Sequence, residues 1–300
     1  MKVLIAIDSS PASQRVLEEA AARPWPKETV FCIASAIDVT QFAKLPVLVE
    51  DSKRESAQVL KAGAALLARA SHIATTEVLL GSPRKVISVY ASEWGADLIL
   101  AGSHGLSAIG RFLLGSVAQG ILRTAACSVE IVRYPLGGPA PSSHPMKILL
   151  ATDGSECSLS AARLVASRPW PLGTVYKILS VEELVSMPIP MAASSLASVY
   201  PASLLEELVT TARDHAIAAV QGTRQILAQT GIKMLDQSPI PTGDPRGMIL
   251  DIAEAWPADL IVLGSHGRRG LDRFLMGSVA ESVAVHAHCS VEVIRGNHGR

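Results

Sequence analysis

Short apolar runs recur along the chain, each followed by a stretch with helical spacing. The first run, over 3–7, is Val-Leu-Ile-Ala-Ile. Its length and unbroken apolarity fit a strand buried on both faces. Ser9, Ser10 and Pro11 come next, ahead of Val16, Leu17 and Ala20. Small polar residues before a proline open a helix. The same reading predicts strands over 29–37, 73–80, 98–101 and 128–133, and helices over 55–70, 82–93 and 116–124. Ala, Leu and Lys in 55–70 favour the helical state. The second half repeats this order, with a longer helix over 203–230. Strands alternating with helices imply an α/β fold with a doubly wound, mostly parallel, five-stranded sheet in each half.

The repetition is visible residue by residue. Residues 81–133 align with 243–295 at an offset of 162, with 27 identities in 53 positions. Near the start of each half the offset is 145, which matches Asp8 with Asp153 and Arg23-Pro-Trp-Pro26 with Arg168-Pro-Trp-Pro171. The change from 145 to 162 places 17 extra residues in the second copy, around 182–202, where Met187-Pro-Ile-Pro-Met191 lies. That insertion is open to two readings, a plain surface loop or a lid and partner surface. A Pro/Gly/Ser-rich stretch over 135–145 reads as a linker between a domain at 1–134 and one at 146–296. Its shortness keeps the halves close, as a pseudo-dimer within one chain.

Composition narrows the partners. Lys+Arg and Asp+Glu are both 27 and aromatics are 4%, so neither a cationic stripe nor a base-stacking platform is expected, and no nucleic acid. Hydrophobic residues at 49% suit substantial cores. No run reaches the roughly 18 apolar residues of a spanning helix, and Asp8 cuts the N-terminal run short of a secretory core. A cytoplasmic protein without membrane contact is the expectation. Cys32, Cys127, Cys157 and Cys289 form no C-x-x-C pair and read as buried free thiols.

The chemistry concentrates in one doubled pattern. Gly102-Ser-His-Gly105 precedes Gly115-Ser116, and Gly264-Ser-His-Gly267 precedes Gly277-Ser278, each after an apolar strand. Glycines there admit a backbone that a Cβ would obstruct and let amides approach an anion. Gly115-Ser116 and Gly277-Ser278 open helices, whose free N–H groups favour phosphate oxygens. The serine hydroxyls either join the phosphate or cap their own helices. No Gly-Lys-Ser/Thr exists, which excludes a Walker A loop, and no G-x-G-x-x-G follows the first strand. In an open parallel sheet ligands bind beyond the strand ends where the winding reverses. With strand order 3-2-1-4-5, Asp8 faces the first glycine loop and Asp153 the second.

Together these residues resemble tandem universal stress proteins of the ATP-binding type. The family motif G-x-x-G-x9-G-[ST] is matched twice, along with the strand-end aspartates and the Ala-Asp-Leu-Ile run before each loop. The resemblance implies an adenine nucleotide alpha-hydrolase-like fold, strand order 3-2-1-4-5, pairing through the fifth strands, and ATP or another adenine nucleotide in each crevice. It implies that Asp8 and Asp153 lie near the nucleotide and bear on a bound Mg²⁺ or Mn²⁺; capping the following helix is the plainer role. Ala36 and Val181 would offer backbone groups to adenine, and Val117 and Val279 would line the phosphate end. His104 and His266 read as loop residues, with no carboxylate placed to orient them. Arg111 and Arg273 either meet the terminal phosphate or are solvated surface charges.

Glu130 and Glu292 fall mid-strand in the fifth strands, where a wholly apolar run is usual for the family. An exposed edge would account for them. The sharper expectation pairs Glu130 with Arg295, and Glu292 with Arg133, across an antiparallel junction. The function expected is nucleotide-dependent stress response through an unnamed protein partner, with homodimerisation open. A slow ATPase or nucleotidyl-transfer enzyme is the alternative, and a structural module with vestigial sites a third.

Overall fold

The computed structural model of the chain describes residues 1–39, 46–103, 114–134, 140–183, 202–231, 233–235, 239–268 and 276–296. The first half runs β1 (Lys2–Ala6), α1 (Pro11–Ala22), β2 (Val30–Ile37), α2 (Pro46–Arg69), β3 (Ala74–Leu80), α3 (Pro83–Trp94), β4 (Leu98–Gly102), α4 (Ser116–Thr124) and β5 (Ser128–Val132). The second runs β6 (Lys147–Ala151), α5 (Glu156–Ser167), β7 (Val175–Leu179), α6 (Ala202–Ala228), β8 (Lys233–Met234), α7 (Pro245–Ala255), β9 (Leu260–Gly264), α8 (Ser278–His286) and β10 (Ser290–Ile294). Ser10 and Ser155 cap α1 and α5, each accepting from the N–H three residues on. Helix α2 starts nine residues before the expected 55, with Pro46 in its first turn, where the missing N–H is harmless. Most of the insertion, 184–201, lies outside the described residues.

All ten strands form one sheet in the order β3-β2-β1-β4-β5-β10-β9-β6-β7-β8. Each half therefore has the 3-2-1-4-5 order, parallel throughout, and β5 and β10 join the halves antiparallel. The outer edges differ: β2 and β3 pair over seven residues, whereas β8 meets β7 over only two.

Strand residues alternate between the two faces. On one face, Ile99, Val129 and Ile131 share a continuous core with Ile261, Val291 and Val293 beneath α3, α4, α7 and α8. On the other, α1 and α2 cover one core and α5 and α6 a second. Between those two cores lie Glu130 and Glu292, both wholly buried, which overturns the exposed-edge expectation.

Their expected partners are also wrong. Glu130 Oε1 and Oε2 accept from Arg23 Nη2 and Nη1 at 2.6 and 2.7 Å, and Glu292 Oε1 accepts from Arg168 Nη1 at 2.6 Å. The reason is strand parity. Arg133 and Arg295 stand three residues beyond the glutamates on their own strands, so they emerge on the opposite face. There each reaches into the other half. Arg133 donates to the carbonyls of Val285 and Ala287 at the end of α8, and Arg295 to those of Leu122 and Arg123 at the end of α4. Cations at helix C-termini satisfy carbonyls that lack intrahelical partners.

Candidate functional site

A cavity opens at the carboxyl end of the strands in each half, about 330 Å³ in the first and about 380 Å³ in the second. Both fall in the size range of small-molecule sites. The first is walled by Asp8, Ala36, Gly102, Gly115, Ser116 and Val117, and the second by Asp153, Val181, Gly264, Gly267, Gly277, Ser278 and Val279. Residues far apart in the chain are thus brought to one crevice in each half, because β1 and β4, like β6 and β9, are neighbours. Gly105, His104, Arg111 and Arg273 lie outside the described residues.

The two ends of each glycine motif are hydrogen-bonded to one another. Gly115 N–H donates to Ser103 O at 2.7 Å, and Gly277 N–H to Ser265 O at 2.8 Å. Each of these glycines is the N-cap of its helix and brings no side-chain acceptor, so Ser116 and Ser278 occupy the first helical position and cap nothing. The first-turn N–H groups of α4 and α8 are left without a capping side chain beside the cavity wall. Gly102 and Gly264 serve close approach and have no positive φ. A Cβ on Gly264 would sit 2.8 Å from the Cys157 carbonyl carbon, and one on Gly102 would sit 2.9 Å from Ala12 Cβ.

The aspartates tie the floor together in two ways. Asp8 Oδ1 accepts from Ser10 N–H at 2.9 Å and from Ser13 Oγ at 2.6 Å, which binds it to the first turn of α1. Asp153 Oδ1 accepts from Ser155 N–H, and Oδ2 accepts from Arg268 N–H, both at 3.0 Å. A Cβ on Gly267 would lie 2.8 Å from that Oδ2, so a larger residue there would displace the carboxylate. The difference starts at one position. Ile7 is replaced by Thr152, whose hydroxyl engages Ser158, the counterpart of Ser13, at 3.1 Å. The capping itself falls to Ser10 and Ser155, not to the aspartates.

Ala36 and Val181 stand where strand alternation opens the backbone. Ala34 O accepts from Ile7 N–H, while Ile37 O accepts from Gly81 N–H. Even-numbered residues of β2 therefore face β1, which ends at Ala6, and the N–H and C=O of Ala36 point past that end into the crevice. Leu179 O accepts from Thr152 N–H, so Val181 has the same aspect beyond β6. His266 lines the second cavity with Nδ1 2.9 Å from Ser265 Oγ, a side-chain contact in place of the solvent or backbone role expected.

Some wall and rim residues had no role assigned from the sequence: Ser13, Asp38, Glu55, Arg268 and Arg246. The repeated Gly-x-Pro-Arg at 81–84 and 243–246 was a signal for Arg246. Among the described residues, no three His, Cys, Asp or Glu side chains gather as a metal cluster, and no helix is long and apolar enough to cross a membrane.

A paired α/β fold with a crevice at the strand ends of each half defines a tandem, doubly wound α/β class of protein. The sequence profile of the universal stress protein family matches residues 1–133 and 145–295, and the chain belongs to that family, a stress-response class. A universal stress protein of Methanocaldococcus jannaschii is 33% identical over 150 residues, 50% of this chain and 81% of the relative. Two solved structures share the fold of the whole chain. A universal stress protein from Archaeoglobus fulgidus has a TM-score of 0.65 at 21% identity, covering 99% of this chain and 97% of that one. A functionally unknown protein from Pseudomonas aeruginosa has a TM-score of 0.65 at 18% identity, covering 98% and 92%.

Proposed function

We propose that the chain binds one adenine nucleotide in each half and acts as a nucleotide-dependent stress-response regulator. One observation carries the reading: two helices, α4 and α8, begin at glycine caps with no side-chain acceptor, each beside a cavity of nucleotide size. A helix start of this kind is an anion site. Phosphates would lie on the N–H groups of Ser116 and Val117, and of Ser278 and Val279. The N–H and C=O of Ala36 and Val181, which among the described residues face past the ends of β1 and β6, would offer the donor–acceptor edge that an adenine ring requires.

A divalent cation fits this arrangement in one form. Asp8 at the end of β1 and Asp153 at the end of β6 would each share Mg²⁺ or Mn²⁺ with phosphate oxygens and water, the mode that suits Mg²⁺. The described feature common to both walls is a helix start of the kind that holds anions, so binding read by a protein partner is preferred over turnover.

The test is calorimetry with Mg·ATP on wild type, Ser116→Glu and Ser278→Glu. Glutamate at a first helical position is favourable to the helix and sets a carboxylate where the phosphate would lie. Two sites are expected in wild type and one in each variant. Wild-type protein that neither takes up ATP nor co-purifies with adenine nucleotide would end this reading.

A further inference from the structure

Among the described residues, the two cavities differ in the charges that line them. Among the described residues, the first is lined by Asp8, Asp38 and Glu55 and by no cation. The second carries Asp153, Glu183 and Arg268. A second arginine stands directly behind its wall. Arg246 Nη2 donates to Ser278 Oγ at 3.2 Å, and Arg246 Nε lies 4.0 Å from the exposed carboxylate of Asp244.

Arg84 is the matching residue of the first half, and it is placed differently for a reason in the neighbouring helix. A Cβ on Gly120 would lie 2.5 Å from Arg84 Cβ, 2.7 Å from Cγ and 2.8 Å from Cδ, so the arginine stem lies directly on α4 over a glycine. The counterpart of Gly120 is Ser282, which fills that place in the second half. There the arginine is directed to the start of α8, where it meets Ser278. Among the described residues, Ser116 receives no such bond from Arg84.

We propose that Arg246 is a specificity-determining residue, which with Arg268 makes the second site prefer a nucleoside triphosphate over a monophosphate, while the first site does not distinguish them. The inference rests on the nucleotide-binding reading above. A guanidinium beside the first phosphate-facing hydroxyl gains more from each added phosphate than a helix N-terminus alone, because it carries a full charge and paired donors. Half exposure of the Arg246 side chain screens this gain, so the effect is moderate and salt-dependent.

The experiment isolates the second site with Ser116→Glu and titrates ATP and AMP into that protein, alone and with Arg246→Ala or Arg246→Lys. Arg246→Ala is expected to weaken ATP by about tenfold and AMP by less than about twofold, the loss expected of a partly screened charged hydrogen bond. Arg246→Lys, which keeps the charge and loses the fork, should recover part of the ATP affinity. In a Ser278→Glu background, Arg246→Ala should leave the first site unchanged. Equal weakening of ATP and AMP, or no weakening, would overturn the proposal while leaving nucleotide binding intact. Failure of the Ser116→Glu protein to bind either nucleotide would remove the nucleotide reading for this half, and this inference with it.

Discussion

Glu130 and Glu292 face each other directly across the β5–β10 junction, two like charges in register on the buried centre of a ten-stranded sheet. Each is held by an arginine from the Arg-Pro-Trp-Pro motif of its own half. The first half adds more: Glu19 accepts from Arg23, Ser142 binds Glu19, and Arg23 lies 5.2 Å from the Trp25 ring and 5.6 Å from that of Trp170. Leu164 stands where a second Glu19 would be, and among the described residues Arg168 Nε and Nη2 have no acceptor. Arg23→Ala would strand two buried carboxylates and Arg168→Ala one. Removing one partner of a buried pair costs about 3–5 kcal/mol. Urea unfolding should place Arg23→Ala in that range and Arg168→Ala below it; equal losses would contradict the asymmetry.

The same cluster sets a pH dependence. Three carboxylates, Glu19, Glu130 and Glu292, meet two guanidiniums. Burial holds the Glu130 carboxyl above its ordinary 4.5 against the pull of Arg23, with Glu292 and Glu19 pushing the same way. An acid whose folded value is raised keeps its proton in the folded state after the unfolded chain has released it. Its stabilising contribution is therefore complete below 4.5 and declines as pH rises from there through the raised value. Glu130→Gln should show a flatter fall in urea midpoint than wild type from pH 4.5 upward. Identical slopes for the two proteins would refute this.

Most of the architecture was legible because it rests on local pattern. Apolar runs mark β1, β4 and β6, Ser-Pro marks the start of α1, and the doubled glycine spacing marks both crevices. What could not be read depends on distance and parity. Arg23 and Glu130 are 107 residues apart, and a charge in mid-strand does not announce which face it occupies. Arg246 and Arg84 hold matching repeat positions, and what separates them is a long-range contact, with Ser282 against Gly120 on the next helix. The start of α2 was misplaced because 46–49 is apolar apart from its proline and reads as a strand end as readily as a helix turn.

Gly264→Ala tests whether the loop glycines are tied to packing as well as to ligand. The new Cβ would meet the backbone of Cys157 and Ser158 at 2.8 and 2.9 Å, and backbone cannot rotate away. Overpacking of this kind costs about 1–3 kcal/mol. Thermal unfolding should show that loss in the absence of any nucleotide. A variant as stable as wild type would mean that α5 shifts freely from the strand end.

Of the four cysteines expected to be buried, Cys32 and Cys289 are, whereas Cys127 and Cys157 are only partly so, and Cys127 and Cys289 give a chemical check on the junction. Burial pushes Cys127 up to about 11 and Cys289 up to about 12. The thiolate is the nucleophile, so both should be nearly inert to iodoacetamide at about pH 8. Native protein should be alkylated at these two positions far more slowly than after denaturation in urea, as read by peptide mass spectrometry. Rapid native labelling of Cys289 would show that the β10 end opens to solvent.

Asp153 makes the loop of the second half part of the folded site before any ligand arrives. Its Oδ2 holds the Arg268 N–H across 115 residues, whereas Asp8 Oδ1 accepts from Ser10 and Ser13 in the adjoining turn. The two aspartates therefore act on different parts of their sites. Asp153→Ala removes a charged acceptor from a backbone donor, a loss of about 1.5–3 kcal/mol for such bonds. If the loop opens locally, amide exchange at Arg268 should accelerate by about ten- to a hundredfold, while the β9 amides, held in the sheet centre, keep their protection. Asp8→Ala should leave Arg268 exchange unchanged. Exchange at Arg268 that is already fast in wild type, or unaltered in Asp153→Ala, would show that the carboxylate does not hold the loop.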